Sequence, residues 1–326
     1  MTTENPILAE VIRSGFAESS HRGPIVGLGA HGQRVVAAGT VDAPIFPRSS
    51  NKPMQAAAMV GCGLDLDGKL LALAAASHSG EDFHIAGVRE ILAGAGLSED
   101  ALQCPPSVPI DEQAMRAFIR RGGEPDRIHM NCSGKHAAML ASCVAAGWPT
   151  GSYRDPAHPL QVEIRRTIER LAGEPVTAIG VDGCGAPIFA LSVTGLARAF
   201  RAMVLAHQGT PERKVADAMR AYPDWTSGSR RPERKLMEAV PGLLLKSGAE
   251  GVEGFALADG RAGAFKLDDG AGRARPPVTV ALLHALGAVA EPAVDTASLD
   301  EISLVGVMGG GERVGEIRVV LEQLAR

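Results

Sequence analysis

The spacing of hydrophobic and polar positions changes twice along the chain. Near the start, Val11-Ile12-Arg13 predicts a first strand after a tether over residues 1–10. Pro24 to Leu28 and Arg34 to Ala38 flank His31-Gly32-Gln33, which predicts a hairpin. The prolines of Ala43-Pro44-Ile45-Phe46-Pro47 keep that run extended. Helical spacing then takes over. Met54 to Val60 and Leu70 to Ala76 are Ala-rich, and Ile85, Val88 and Leu92 repeat at helical intervals up to Gly94 or Gly96. Asp111 predicts the cap of a helix to about Arg121, and Gly147 closes one over Ala137 to Ala146. Leu160, Ile164, Ile168 and Leu171 share one face of a helix starting at Asp155 or His158. After a short connector or strand, Val176 to Val181, helices are predicted around Leu196 to Val204 and from about Glu233 to Val240.

From Leu243 the pattern returns to strands. Leu243 to Lys246, Val252 to Ala258 and Gly263 to Leu267 read as a meander with a turn at Asp259-Gly260. A helix over Val278 to Val289 and strands over Ile302 to Met308 and Val314 to Leu321 complete the chain. Strands at both ends and helices between them predict an α+β fold: an antiparallel sheet built from both termini, with an inserted helical lobe. The expected unit is one two-lobed domain, its sheet lobe about 1–48 and 241–326 and its helical lobe about 49–240.

Composition narrows the function classes. A formal net charge of −4 with no block of like charges gives nucleic acid and anionic membranes nothing to hold. Aromatic residues are only 4% of the chain, too few for base-stacking platforms. Cys62, Cys104, Cys132, Cys143 and Cys184 are odd in number and scattered, so they do not read as a disulfide framework. There is neither a signal-like start nor a run of about twenty apolar residues. The expectation is a reduced, cytoplasmic protein acting on a small molecule.

Candidate chemistry centres on Arg48-Ser49-Ser50-Asn51-Lys52-Pro53. Ser49 and Lys52 lie one helical turn apart, where a lysine amine of lowered pKa serves as base to a serine nucleophile. The plain alternative is a helix N-cap with proline in the first turn. Ser77-His78-Ser79 and Lys246-Ser247-Gly248 are each unremarkable alone, a polar turn and a strand end. Together the three follow the order Ser-x-x-Lys, Ser-containing turn, Lys-Ser/Thr-Gly of serine β-lactamases and penicillin-binding proteins. Two lysines in one site also make chemical sense, because each depresses the other's pKa. Cys132-Ser133-Gly134-Lys135-His136 and Asp182-Gly183-Cys184-Gly185 offer two thiols with nitrogen and oxygen neighbours. On residue chemistry alone, two buried free cysteines outweigh a metal site, and His136 and Asp182 read as a packed histidine and a turn residue.

With Arg48 to Pro53, Ala76 to Glu81, Asn131 to His136 and Val181 to Cys184 standing in order, and with Glu18-Ser-Ser-His-Arg22 and Lys246, the chain resembles the asparaginase II family of the Rhizobium etli type over nearly its whole length. The resemblance implies a serine β-lactamase-like fold and the hydrolysis of L-asparagine to L-aspartate and ammonia. It implies Ser49 as nucleophile with Lys52 as its base, and Ser77 with Lys246 as a second Ser–Lys pair. It implies a zinc ion on Cys132, Lys135 and Cys184, substrate contacts from Arg48, His136 and Asp182, and a homodimer. The Cys104-Pro105-Pro106-Ser107 loop lacks the family's glycine-rich, histidine-containing form, and Ser227 to Glu233 has no cysteine. The alternatives are another acyl-serine amidohydrolase, a glutaminase or a β-lactamase-like enzyme, and a non-catalytic amino-acid-binding protein.

Overall fold

The computed structural model describes residues 5–320. β1 (Ile7–Arg13) and β2 (Phe16–Arg22) form a first hairpin, and β3 (Ile25–Leu28) and β4 (Arg34–Ala38) the expected second one. Residues 7–10 are therefore strand, not tether: Leu8 and Ala9 are fully buried, and Ala9 lies opposite Val319 of the last strand. That partner comes from the other end of the chain, which no local pattern reveals. Residues 1–4 of the expected tether lie outside the described residues.

After the short β5 (Pro44–Ile45), a 3-10 turn at Arg48–Asn51 runs directly into α1 (Lys52–Gly61), whose first turn holds Pro53. α2 (Gly68–Ala74), α3 (Asp82–Gly94), α4 (Glu112–Arg120), α5 (Ser133–Ala145) and α6 (Pro159–Ala172) follow where helical spacing places them. Asp111 accepts the Ala114 N–H as the cap of α4, and His158 caps α6. α5 begins four residues before Ala137, because its polar first turn, Ser133 to His136, is buried rather than solvated. β6 (Ile179–Val181) and β7 (Pro187–Phe189) form a small hairpin, and β8 (Leu191–Ser192) pairs with β5. Next come α7 (Val193–Leu205), α8 (Pro211–Ala221), α9 (Pro223–Thr226) and α10 (Pro232–Ala239). Sequence spacing misses α8, where only Val215, Ala216, Ala218 and Met219 form a thin apolar stripe on a charged helix.

The meander appears as β9 (Leu244–Gly248), β10 (Val252–Ala256) and β11 (Ala262–Lys266), followed by α11 (Arg275–Ala285), α12 (Thr296–Ser303), β12 (Gly306–Gly309) and β13 (Glu312–Val319). Ile302, expected in a strand, lies instead in α12. Asp295 caps that helix by accepting the Ser298 N–H, so the strand starts only at Gly306. Residue 321, expected at the end of the last strand, lies outside the described residues.

The fold is α+β, with antiparallel pairing throughout its named sheets, but the expected single sheet is divided. One sheet has the order β12-β13-β1-β2 and the other β4-β3-β11-β10-β9. The chain crosses between them at residues 22–25, where the Asp268 N–H donates to Arg22 O and the Lys266 N–H to Pro24 O. A Cβ on Gly23 would lie 1.8 Å from the Lys266 carbonyl oxygen, so only glycine allows this crossing.

β9 and β10 are the wall between two cores. Leu244, Val252 and Ala256 face the larger core, formed with α7 and the other middle helices. Leu245 and Phe255 face the second core, which includes Leu236 of α10 and Val278 and Leu282 of α11. Because side chains alternate along a strand, Lys246 points with Leu244 toward the middle helices and Ser247 points with Leu245 away from them.

Candidate active site

Ser49 lies inside the 3-10 turn, half-buried, between Arg48 at φ +52° and buried Ser50. An arginine in the left-handed region is strained, and such strain concentrates at functional turns. The N-cap alternative does not hold. Asn51 occupies the cap position without a side-chain cap bond, and Ser50 Oγ donates to Pro47 O at 2.6 Å. Among the described residues the Ser49 hydroxyl makes no hydrogen bond, so it is not spent on structure.

Lys52 is buried, and its amine finds three acceptors. It donates to Ala76 O at 2.5 Å, to Ser77 Oγ at 2.9 Å and to Cys132 Sγ at 3.0 Å. The Ala76 carbonyl, just beyond the end of α2, lacks a helical partner and so is free to accept. The expected pairs are thus recombined: Lys52 bonds to Ser77 rather than Ser49, and Lys246 donates to Ser247 O at 2.7 Å rather than to Ser77.

Gly248 explains the glycine of Lys246-Ser247-Gly248. A Cβ there would lie 2.5 Å from Pro47 O and 3.2 Å from Ser50 N, so β9 and the Ser49 turn touch backbone to backbone. Lys246 is buried, and burial together with the Lys52 charge pushes its pKa down to about 7, against the opposing pull of Glu233. On the reverse face, Ser247 Oγ donates to Glu233, which pairs with Arg231 at 3.2 Å and Arg275 at 3.5 Å. A cavity of about 280 Å³ opens behind this group, lined by Arg231, Glu233, Glu253, Arg273 and Arg275 among others.

The thiol elements also converge. Lys135 Nζ donates to Cys184 Sγ at 3.1 Å, while Cys132 Sγ donates to Asn131 Oδ1 at 3.1 Å and accepts from Lys52. Interaction with the neighbouring Cys132 and the charge of Lys135 hold the Cys184 thiol far below its ordinary pKa, while the Cys184 neighbour and burial push Cys132 up. Tyr153 OH accepts the Gln103 N–H at 3.1 Å and shares a hydrogen bond with His136 Nδ1 at 2.6 Å. His136 Nε2 is buried without a hydrogen-bond partner, and burial pushes the pKa of His136 down to about 4. All five cysteines are free thiols. Among the described residues, no group of three or more His, Cys, Asp and Glu side chains is placed to hold a metal ion.

Arg48 and Asp182, expected to hold opposite ends of a substrate, hold each other: Arg48 Nε donates to Asp182 Oδ1 at 2.7 Å. Asp182 sits on the β6–β7 turn, and Glu250 Oε1 approaches the same arginine at 3.6 Å. The proline loop after Cys104 lies behind the thiols, with Cys104 Sγ donating to Arg127 O. The segment from Ser227 to Glu233 supplies Ser229, whose N–H donates to Glu81 at 2.9 Å, and Arg230, which bridges Glu81 and Asp111. Sequence reasoning missed Glu233, Tyr153 and Glu81 as parts of the site. Glu81 stood inside a quoted motif; the other two carry no motif at all.

A family profile described as L-asparaginase II matches residues 9–319. No curated protein matches the chain. Similar solved structures include Mglu in its native form, with 15% identity, 88% of this chain and 68% of that chain covered, and a TM-score of 0.45. Mglu in its L-glutamate binding form gives 18%, 82%, 59% and 0.40. EstCE1, described as a hydrolase with promiscuous acyltransferase activity, gives 11%, 81%, 93% and 0.43. All three likenesses are remote.

Proposed function

The chain belongs to the L-asparaginase II family, and from that premise we propose that it hydrolyses L-asparagine to L-aspartate and ammonia through an acyl-enzyme on Ser49. The observation that carries this reading is the unspent Ser49 hydroxyl on a strained turn, one helical turn from the buried amine of Lys52.

In the proposed reaction, Lys52 in its neutral form turns from its resting contacts and takes the proton of Ser49. Ser49 Oγ attacks the side-chain amide carbon, and backbone N–H groups of the turn receive the developing oxyanion. The C–N bond breaks, and the departing nitrogen leaves as ammonia with the proton Lys52 returns. Water, deprotonated by the same amine, hydrolyses the β-aspartyl ester and restores Ser49. Ser77, already hydrogen-bonded to Lys52, relays protons, and Lys246 in its charged form adds a second positive charge beside Lys52. A substrate zwitterion would separate Arg48 from Asp182 and pair with both, carboxylate to arginine and ammonium to aspartate.

Cys132, Lys135 and Cys184 would hold a zinc-class ion with two soft donors and one amine, which Lys135 offers only on giving up the proton that its thiol neighbours help it keep, and buried His136 Nε2 has no hydrogen-bond partner. Such an ion, when bound, supplies positive charge that orders the site and orients substrate.

The test is ammonia release by the purified protein from L-asparagine, L-glutamine and D-asparagine, with nitrocefin turnover alongside. Faster release from glutamine, or nitrocefin cleavage, transfers the assignment to a glutaminase or a β-lactamase-like enzyme. Binding of asparagine without turnover leaves only a binding protein.

A further inference from the structure

Behind β9 a charged network occupies a place that the second core otherwise fills with Leu245, Phe255 and Val278. Ser247 Oγ donates to Glu233 Oε1 at 2.5 Å, and Ser247 O accepts from Lys246 Nζ at 2.7 Å. One residue therefore links Glu233, on the rear face of the strand, to the Lys246 amine on its front face. Glu233 is 5% exposed, and its Oε2 lacks a hydrogen bond. A buried carboxylate costs several kcal/mol unless it is paired. Arg231 and Arg275 supply that pairing, and Arg275 also approaches Glu253 at 3.4 Å.

We propose that Glu233 is a positioning residue of the reaction: through Ser247 it seats the Lys246 amine, and its charge balances that amine. The proposal rests on reading Lys246 as part of the catalytic set. The groups that face Lys246 are Lys52 from α1, Arg231 at the cap of α10 and Glu233 within it, and Glu253 from β10, with Arg275 of α11 against both carboxylates. Lys52 and Arg231 oppose the lysine's charge. Burial pushes Glu253 up to about 7, so near neutrality it is only partly charged. Burial also works against the Glu233 charge, but Arg231, Arg275, the Ser247 hydroxyl and Lys246 together hold it at about 2. Glu233 is thus the one of these groups that stays a full anion across the neutral range. Removing its charge takes away the balance to Lys246 and leaves Arg231 and Arg275 facing the same amine.

The experiment is Glu233→Gln, which keeps shape and an acceptor for Ser247, with Glu233→Asp as the variant that keeps charge. Side-chain NMR titration of isotope-labelled lysine in the full-length protein reads the Lys246 pKa, and the pH profile of kcat/KM reads its effect. In Glu233→Gln the Lys246 pKa falls by about one unit or more, the usual scale for losing a close opposite charge, and the alkaline limb of kcat/KM, where the lysine loses its charge, moves down with it. Glu233→Asp returns both toward the parent. Ser247→Ala, which retains the charge, lowers kcat with KM little changed. A folded Glu233→Gln whose Lys246 pKa and alkaline limb stay where they are overturns the electrostatic part. An unchanged kcat in Ser247→Ala overturns the seating part, and this variant serves if Glu233→Gln does not fold. The titration needs no turnover. If the parent releases no ammonia while the lysine pKa still shifts, the functional reading fails and the hold of Glu233 on Lys246 stands.

Discussion

Gly248→Ala tests whether the contact between β9 and the Ser49 turn sets the site. The added Cβ would meet Pro47 O at 2.5 Å and Ser50 N at 3.2 Å, both backbone atoms that cannot rotate away. A carbon–oxygen contact relaxes at about 3.3 Å, so the turn and the strand must part by about 0.8 Å. Ser49 lies between the two atoms struck, and Lys246 lies two residues up the strand. The displacement therefore falls on the distance between the proposed nucleophile and the second lysine. Overpacking of this size costs about 1–3 kcal/mol of stability. An ångström of misplacement at reacting groups costs about a hundredfold in rate. The expected result is a stably folded protein, melting a few degrees lower, with kcat for ammonia release down by about two orders of magnitude. Gly61→Ala, in α1 but with open space around the new Cβ, is the control and retains full activity at equal or higher stability. A Gly248→Ala protein with the activity of the parent would refute the reasoning, because the 2.5 Å contact would then be absorbed without moving the site.

Ser49→Ala abolishes turnover while leaving the melting temperature nearly unchanged, since its hydroxyl makes no hydrogen bond; retention of more than about a tenth of activity removes it as nucleophile. Ser77→Ala and Lys246→Met each lower kcat strongly, and an effect on KM alone assigns that pair to substrate binding instead. Lys246 titrates at about 7 in the folded chain and at its ordinary 10.5 when unfolded, so between those values the unfolded state binds more protons. Stability therefore rises as pH climbs from about 7 to about 10.5, and the penalty is fully present below 7. Melting curves of Lys246→Met lose that rise, and an equal slope in both proteins would count against a buried, depressed lysine. Elemental analysis after supplying zinc finds metal in the parent and none in Cys132→Ser/Cys184→Ser; equal content in both returns the cysteines to plain core residues.

The strand–helix–strand order was legible because hydrophobic period carries it, and the meander near Leu244 to Lys266 reads directly from Asp259-Gly260 and its flanking runs. Pairings between distant segments were not. Nothing near Ile7 announces a partner at Val319, and nothing in an apolar stretch announces that two sheets meet at Gly23. The same limit applies to the site. The residue types that gather around Lys52 stand in short motifs and could be singled out, and Lys135 does meet Cys184. Their partners could not be assigned: a buried amine takes whatever acceptors the packed helices present, here Ser77, Ala76 O and Cys132. Glu233 and Ser247 lie fourteen positions apart with no shared spacing, and only strand alternation brings them together.

The pairing of both chain ends into the sheets also dictates the order in which the protein can be completed during synthesis. β1 waits for β13, and β3 waits for β11, whereas Ser49, Lys52 and the thiol elements are all translated long before either partner strand exists. Lys246 arrives only with β9, which then needs β10 to anchor it. A nascent or truncated chain ending before that strand carries the proposed nucleophile without the second lysine or the backbone wall that Gly248 provides. Such long-range closure slows folding, since loop entropy is spent before the contacts form. It also ties the proposed chemistry to β9: until that strand is made and paired with β10, Ser49 and Lys52 stand without Lys246 beside them.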